Sequence, residues 1–176
     1  MVAQVIRGSY TAPEAQVADI AFYVNNSQFV TGAGTIADRG SSTGQGTFRF
    51  NARYNKQGSP KGQMMYSWQG TYGGQAATFT IASNALSSLS FSGTTVVTAT
   101  LQGKASYTIV SQATGAALFS EGNDSFSATA IDGDSGQGRQ TSAADRFSVS
   151  TFQSGNTPLH PVSGSLTGGN VVAHNK

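Results

Sequence analysis

Four aspartates, a trio of aromatic residues and two histidines are the side chains of this sequence best suited to chemistry. Asp132 and Asp134 stand one residue apart, with Gly136 following, the spacing that opens a calcium loop. A hard cation needs clustered oxygen ligands, and Asp124 and Asp145, on flanking strand ends, would complete a cage. The pattern then departs, because Gln137 and Gly138 stand where a further ligand and a distant Glu belong. The competing reading is a polar turn in which Asp side chains accept backbone amides. Calcium is the one cofactor these residues suggest.

Tyr66, Trp68 and Tyr72 lie close together, with Tyr54 a neighbour across a hairpin. Flat aromatic faces bind sugar rings, so a carbohydrate surface is one expectation. Met64 shares the parity of Tyr66 and Trp68, which favours the inward face of a strand instead. Arg49 and Arg53 fall on the outward face of their strand, near Lys56 and Lys61. Such a patch suits an acidic polymer, but Lys and Arg on an edge strand also block aggregation, and that reading is preferred. His160 and His174 show no metal spacing. No Gly-Xaa-Ser-Xaa-Gly elbow is present, so a hydrolase would have to assemble in space, with His160 beside a carboxylate in a deep pocket.

The elements that must hold these groups are strands. Charged residues are only 10% of the 176, and Gly, Ser, Thr, Asn and Gln replace them. Ten Phe, six Tyr and one Trp exclude a disordered chain. The formal charge of +2 comes from ten scattered cations and eight anions, which argues against nucleic acid as a partner. With no Cys there is no disulfide framework and no thiolate metal site. No apolar run approaches a membrane span, and Met1–Arg7 is too short and polar for a signal peptide, so an exported protein would have lost its leader before this numbering.

Period two dominates. Phe48, Phe50, Ala52 and Tyr54 alternate with Thr47, Arg49, Asn51 and Arg53. Further sets are Phe79/Ile81, Ala105/Tyr107/Ile109, Phe126/Ala128/Ala130 and Phe147/Val149, with a short last strand at Val171-Val172. Gly40–Gly44, Gln57–Pro60, Tyr72–Gly74 and Gly133–Gly138 carry turn chemistry between them. The expectation is one all-β domain over 27–176, an antiparallel β-sandwich of Ig-like or jelly-roll-like form, with a closed β-barrel second. Residues 1–26 form an N-terminal extension, either extra strands or an exchangeable one, and Ala12–Ala18 is the best helical candidate.

From Phe29 onward the order of several short segments resembles the post-COAP type of module, a β-rich unit of exported, often multidomain, bacterial proteins. These segments include Val30-Thr31-Gly32-Ala33-Gly34-Thr35-Ile36, Gly44-Gln45-Gly46-Thr47-Phe48-Arg49-Phe50, Tyr54-Asn55-Lys56 and Pro60-Lys61-Gly62-Gln63. Later ones are Ser83-Asn84-Ala85-Leu86, Ala99-Thr100-Leu101-Gln102-Gly103, Asp145-Arg146-Phe147-Ser148-Val149 and Gly168-Gly169-Asn170-Val171-Val172-Ala173-His174. Ala33 replaces a Gly of the family pattern, and Asp132–Gly136 departs from its usual loop. The resemblance implies export, a sandwich-like fold and no catalytic residues.

Together these features lead to a non-catalytic module at the cell surface or outside the cell, one that spaces, displays or assembles. Its expected partners are neighbouring domains or copies of itself through the N-terminal strand. A polysaccharide-binding module and a small hydrolase are the alternatives.

Overall fold

A computed structural model describes residues 28–133, 144–152 and 159–174. Strands take up 77% of these residues and none is helical. The helical candidate Ala12–Ala18 and the whole 1–26 extension lie outside the described residues. The strands are β1 (Phe29–Ala37), β2 (Gln45–Tyr54), β3 (Pro60–Tyr72), β4 (Gln75–Ser92), β5 (Val97–Ser111), β6 (Ala117–Asp132), β7 (Arg146–Phe152) and β8 (Val162–His174). Each pairs antiparallel with the next, and β8 returns to pair with β1, from Phe29 opposite His174 to Ile36 opposite Leu166. The result is one ring-like antiparallel sheet, and the expected sandwich is not confirmed. Closure by β1 and β8 joins residues more than a hundred positions apart, which no local pattern announces.

Alternation explains the interior. Phe48, Phe50 and Ala52 of β2 and Met64, Tyr66 and Trp68 of β3 are buried, while Arg49, Asn51 and Arg53 face solvent. Ile81, Leu101, Phe126, Phe147 and Val149 are also buried, and Phe79 is partly so. Phe48 of β2 stacks on Phe147 of β7 with centroids 4.2 Å apart, although those strands are not neighbours. The aromatic faces therefore bridge the closed sheet from wall to wall. β5 and β6 contribute small residues, Ala99, Ala105, Ala128 and Ala130, which leave room for those rings.

Two irregularities reset the alternation on β4. Register shifts between Ser83 and Ala85 and between Leu86 and Ser88 each insert one residue against β5. An inserted residue exchanges inward and outward faces. The inward set accordingly runs Ile81, then Leu86, then Leu89. Gly103 lies opposite Leu86 because a Cβ there would stand 1.9 Å from the Ala85 carbonyl oxygen.

Candidate functional site

The polar cluster with the most convergent geometry sits at the end of the closed sheet where β1 runs into β2. Asp38 follows the last residue of β1, and its backbone N–H donates to Gly44 O at 2.9 Å, closing the loop. Gly40 N–H donates to Asp38 Oδ1 at 2.8 Å, so the carboxylate turns back on its own loop. Its other oxygen, Oδ2, accepts from the Tyr66 hydroxyl at 2.7 Å and pairs with His160 Nε2 at 2.8 Å. Gly46 makes this possible, since a Cβ there would lie 1.8 Å from the Tyr66 hydroxyl oxygen. His160, just ahead of β8, lies flat against Trp68, with centroids 3.8 Å apart and planes 7° from parallel.

The electrostatics follow from burial and these bonds. Burial pushes the Asp38 carboxyl up, but bonds from Tyr66, His160 and Gly40 outweigh it and hold the group below its ordinary value. An ionised Asp38 accepts only, so His160 carries its proton on Nε2. Burial, then the bond to Asp38, pushes the Tyr66 phenol far above its ordinary value, so Tyr66 remains a neutral donor.

An aspartate orienting an imidazole is the back half of a hydrolytic triad. The front half needs a nucleophile at the other ring nitrogen. Gly40 leaves room for that edge, because a Cβ on it would lie 2.5 Å from His160 Cε1 and 3.3 Å from Nδ1. Among the described residues the hydroxyl bonded in this cluster is that of Tyr66, and it is committed to Asp38. The arrangement pins the β1–β2 loop to the segment entering β8. Sequence reasoning picked out His160 but not Asp38, whose Asp-Arg-Gly context reads as an ordinary turn.

The three aromatics expected to form a platform are split. Tyr66 and Trp68 point into the core, 0% and 6% exposed, and Trp68 is covered by His160 and by Phe79 at 5.2 Å. Tyr72 lies four residues further along β3, about 13 Å away, exposed beside Phe119. It also helps raise the neighbouring Tyr107 phenol, which burial pushes up to about 12.

Of the acids expected to cage calcium, Asp124 stands apart, whereas Asp132 and Asp145 lie together beside the end of β8. Asp124 and Asp132 both lie on β6, eight residues and about 26 Å apart, too far to share an ion. Asp134 lies outside the described residues. Asp132 Oδ2 accepts from Ala173 N–H at 2.7 Å. Asp145 accepts from Gly133 N–H at 3.0 Å and Val171 N–H at 2.7 Å. These bonds have a topological cause. β7 pairs with β8 only from Arg146 to Val149, so among the described residues β8 beyond Ser165 has no strand on that side. The two carboxylates stand in for the missing ladder. Asp124 is buried with Oδ2 unpartnered, and burial, then Glu121, pushes its carboxyl up against the opposing effect of Lys104.

In comparisons with known proteins, no family model, no curated protein and no solved structure matches this chain.

Proposed function

We propose that this chain is a small up-and-down barrel acting as a non-catalytic extracellular module, one that displays or spaces rather than transforms a substrate. The observation that carries this reading is the aromatic packing across the interior among the described residues. Phe48 stacks on Phe147 across the sheet, and in the one aspartate–histidine pair among the described residues the Asp38 carboxylate is occupied by Tyr66 and Gly40 while the imidazole stacks on Trp68. A barrel that binds a small molecule inside keeps a lined cavity, and an enzyme keeps convergent polar groups open to a pocket. The likeness to the post-COAP type of module supports an exported setting.

Display is favoured over assembly by strand exchange. Adding a strand needs an open sheet edge; β1 and β8 are already paired to one another, and on the other side of β8 Val171 and Ala173 already donate to Asp145 and Asp132. The experiment is a turnover assay with chromogenic ester, phosphate-ester and glycoside substrates on the wild type, Asp38→Asn and His160→Gln. No turnover by the folded wild type is expected. Turnover that both substitutions abolish, with folding retained, would overturn the reading in favour of a hydrolase.

A further inference from the structure

From Arg39 to Ser120 the sequence holds six cations, Arg39, Arg49, Arg53, Lys56, Lys61 and Lys104, and no acid at all. The fold gathers three of them on one surface. Registers across β1, β2 and β3 set outward residues in rows: Phe29, Arg53 and Lys61; then Thr31, Asn51 and Gln63; then Ala33, Arg49 and Met65. Arg53 and Lys61 stand directly opposite, a like-charge pair with Cβ atoms about 5 Å apart, which costs stability. Lys56 projects from the turn joining the two strands.

Among the described residues no acid neutralises this face. β1 to β4 contain no acid. Elsewhere among the described residues Asp38, Asp124 and Asp132 are buried, and Asp145 and Glu121 are half-buried. Arg49 reaches only the Met65 sulfur, at 3.5 Å. Protection of a sheet edge does not explain the cations either, because β2 is paired on both sides, to β1 and β3, and β3 to β2 and β4. Two shallow grooves, about 320 and 570 Å³, meet at Thr31 and Asn51 and run along the face past Arg49 and Arg53.

We infer that this face binds an extended, carboxylate-bearing polysaccharide. Arg49 and Arg53 are four residues apart on one strand, about 13 Å, so a single small anion cannot satisfy both and a polymer can. Between the cations lie Thr31, Asn51 and Gln63, neutral donors and acceptors suited to hydroxyl groups, while the guanidinium forks suit carboxylates. Single-stranded nucleic acid would need aromatic faces for base stacking. The aromatic residue at this surface, Phe29, has one face against His174, with centroids 4.3 Å apart. This inference goes beyond the non-catalytic reading and is tested separately from it.

The test is titration calorimetry of the full chain with polygalacturonate in low salt with chelator. Dextran and a single-stranded DNA of equal charge are the comparison ligands. Polygalacturonate binds and dextran does not, and affinity falls steeply as NaCl is raised. The triple variant Arg49→Gln/Arg53→Gln/Lys61→Gln binds at least about tenfold more weakly with a flatter salt dependence, and Lys104→Gln binds as the wild type does. The triple variant melts no lower than the wild type, since a repulsive pair is gone. Should it fail to fold, Arg53→Gln alone is expected to weaken binding about threefold. No binding by the wild type in low salt, or equal binding by the folded triple variant, overturns the inference. Tighter binding of DNA than of polygalacturonate overturns the assignment to a glycan. The turnover assay reads the non-catalytic proposal independently of all these outcomes.

Discussion

The Asp38 carboxylate joins Tyr66 to His160 through a single oxygen, at 2.7 Å and 2.8 Å. Two segments 122 residues apart in sequence thus depend on one buried atom. Asp38→Ala strands a buried phenol and releases the imidazole, a loss of about 2–4 kcal/mol. For a chain of this length the midpoint of thermal unfolding should fall on the order of 10 °C. Differential scanning calorimetry at neutral pH measures it, and an unchanged midpoint would show that the pin bears no weight.

The same carboxyl sets an acid limit. Its value in the fold lies below the ordinary 3.8, so the stability it contributes is fully present above that value. It drains away as pH falls through the folded value. The wild type should therefore lose stability below about pH 4 more steeply than Asp38→Asn. Melting curves from pH 6 to pH 2.5 decide this, and parallel profiles would contradict it.

Asp124 has the opposite sign. Its carboxyl is raised in the fold, so its ionised form opposes folding at neutral pH, and that penalty disappears in acid. Asp124→Asn should melt a few degrees above the wild type at pH 7, with the advantage lost by pH 3. A variant less stable at pH 7 would mean that the charge has a partner after all.

Asp132 and Asp145 should behave as substitutes for a strand. Replacing either with Ala removes a charge-assisted bond to β8, about 1.5–3 kcal/mol. Amide exchange at Ala173 should accelerate in Asp132→Ala and at Val171 in Asp145→Ala, with Ile36 and Val30 on β1 little affected. Exchange resolved by NMR reads this site by site.

Gly46→Ala tests the steric half of the pin. The new methyl would overlap the Tyr66 hydroxyl and push it off Asp38. Overpacking together with the lost bond should cost about 2–4 kcal/mol. Tyr66→Phe in the same background should restore part of that loss, because the smaller side chain withdraws the clashing oxygen.

Strands β2 and β3 were legible because Phe48, Phe50, Met64, Tyr66 and Trp68 keep strict alternation against polar neighbours. β4 was legible only to Ile81, since the two inserted residues beyond it break the parity that a period-two reading follows. β8 was reduced to Val171-Val172 because Val162–Asn170 is mostly Ser, Gly and Thr, residues that read as loop until a partner on β1 holds them extended. Ring closure was not legible for a related reason: β1 and β8 recognise each other only once the intervening strands have turned through the full circle. The parity of Trp68 with Met64 favours core over platform, and Trp68 is buried. The Asp38–His160 pair left no local trace, as each residue alone has the surroundings of a turn.

The stacking of Phe29 on His174 places the first residue of β1 against the last residue of β8. The polypeptide therefore comes in and goes out at one point on the rim, on neighbouring strands. In a longer chain such a body hangs to one side like a pendant on a cord, and it adds almost nothing to the length of the cord.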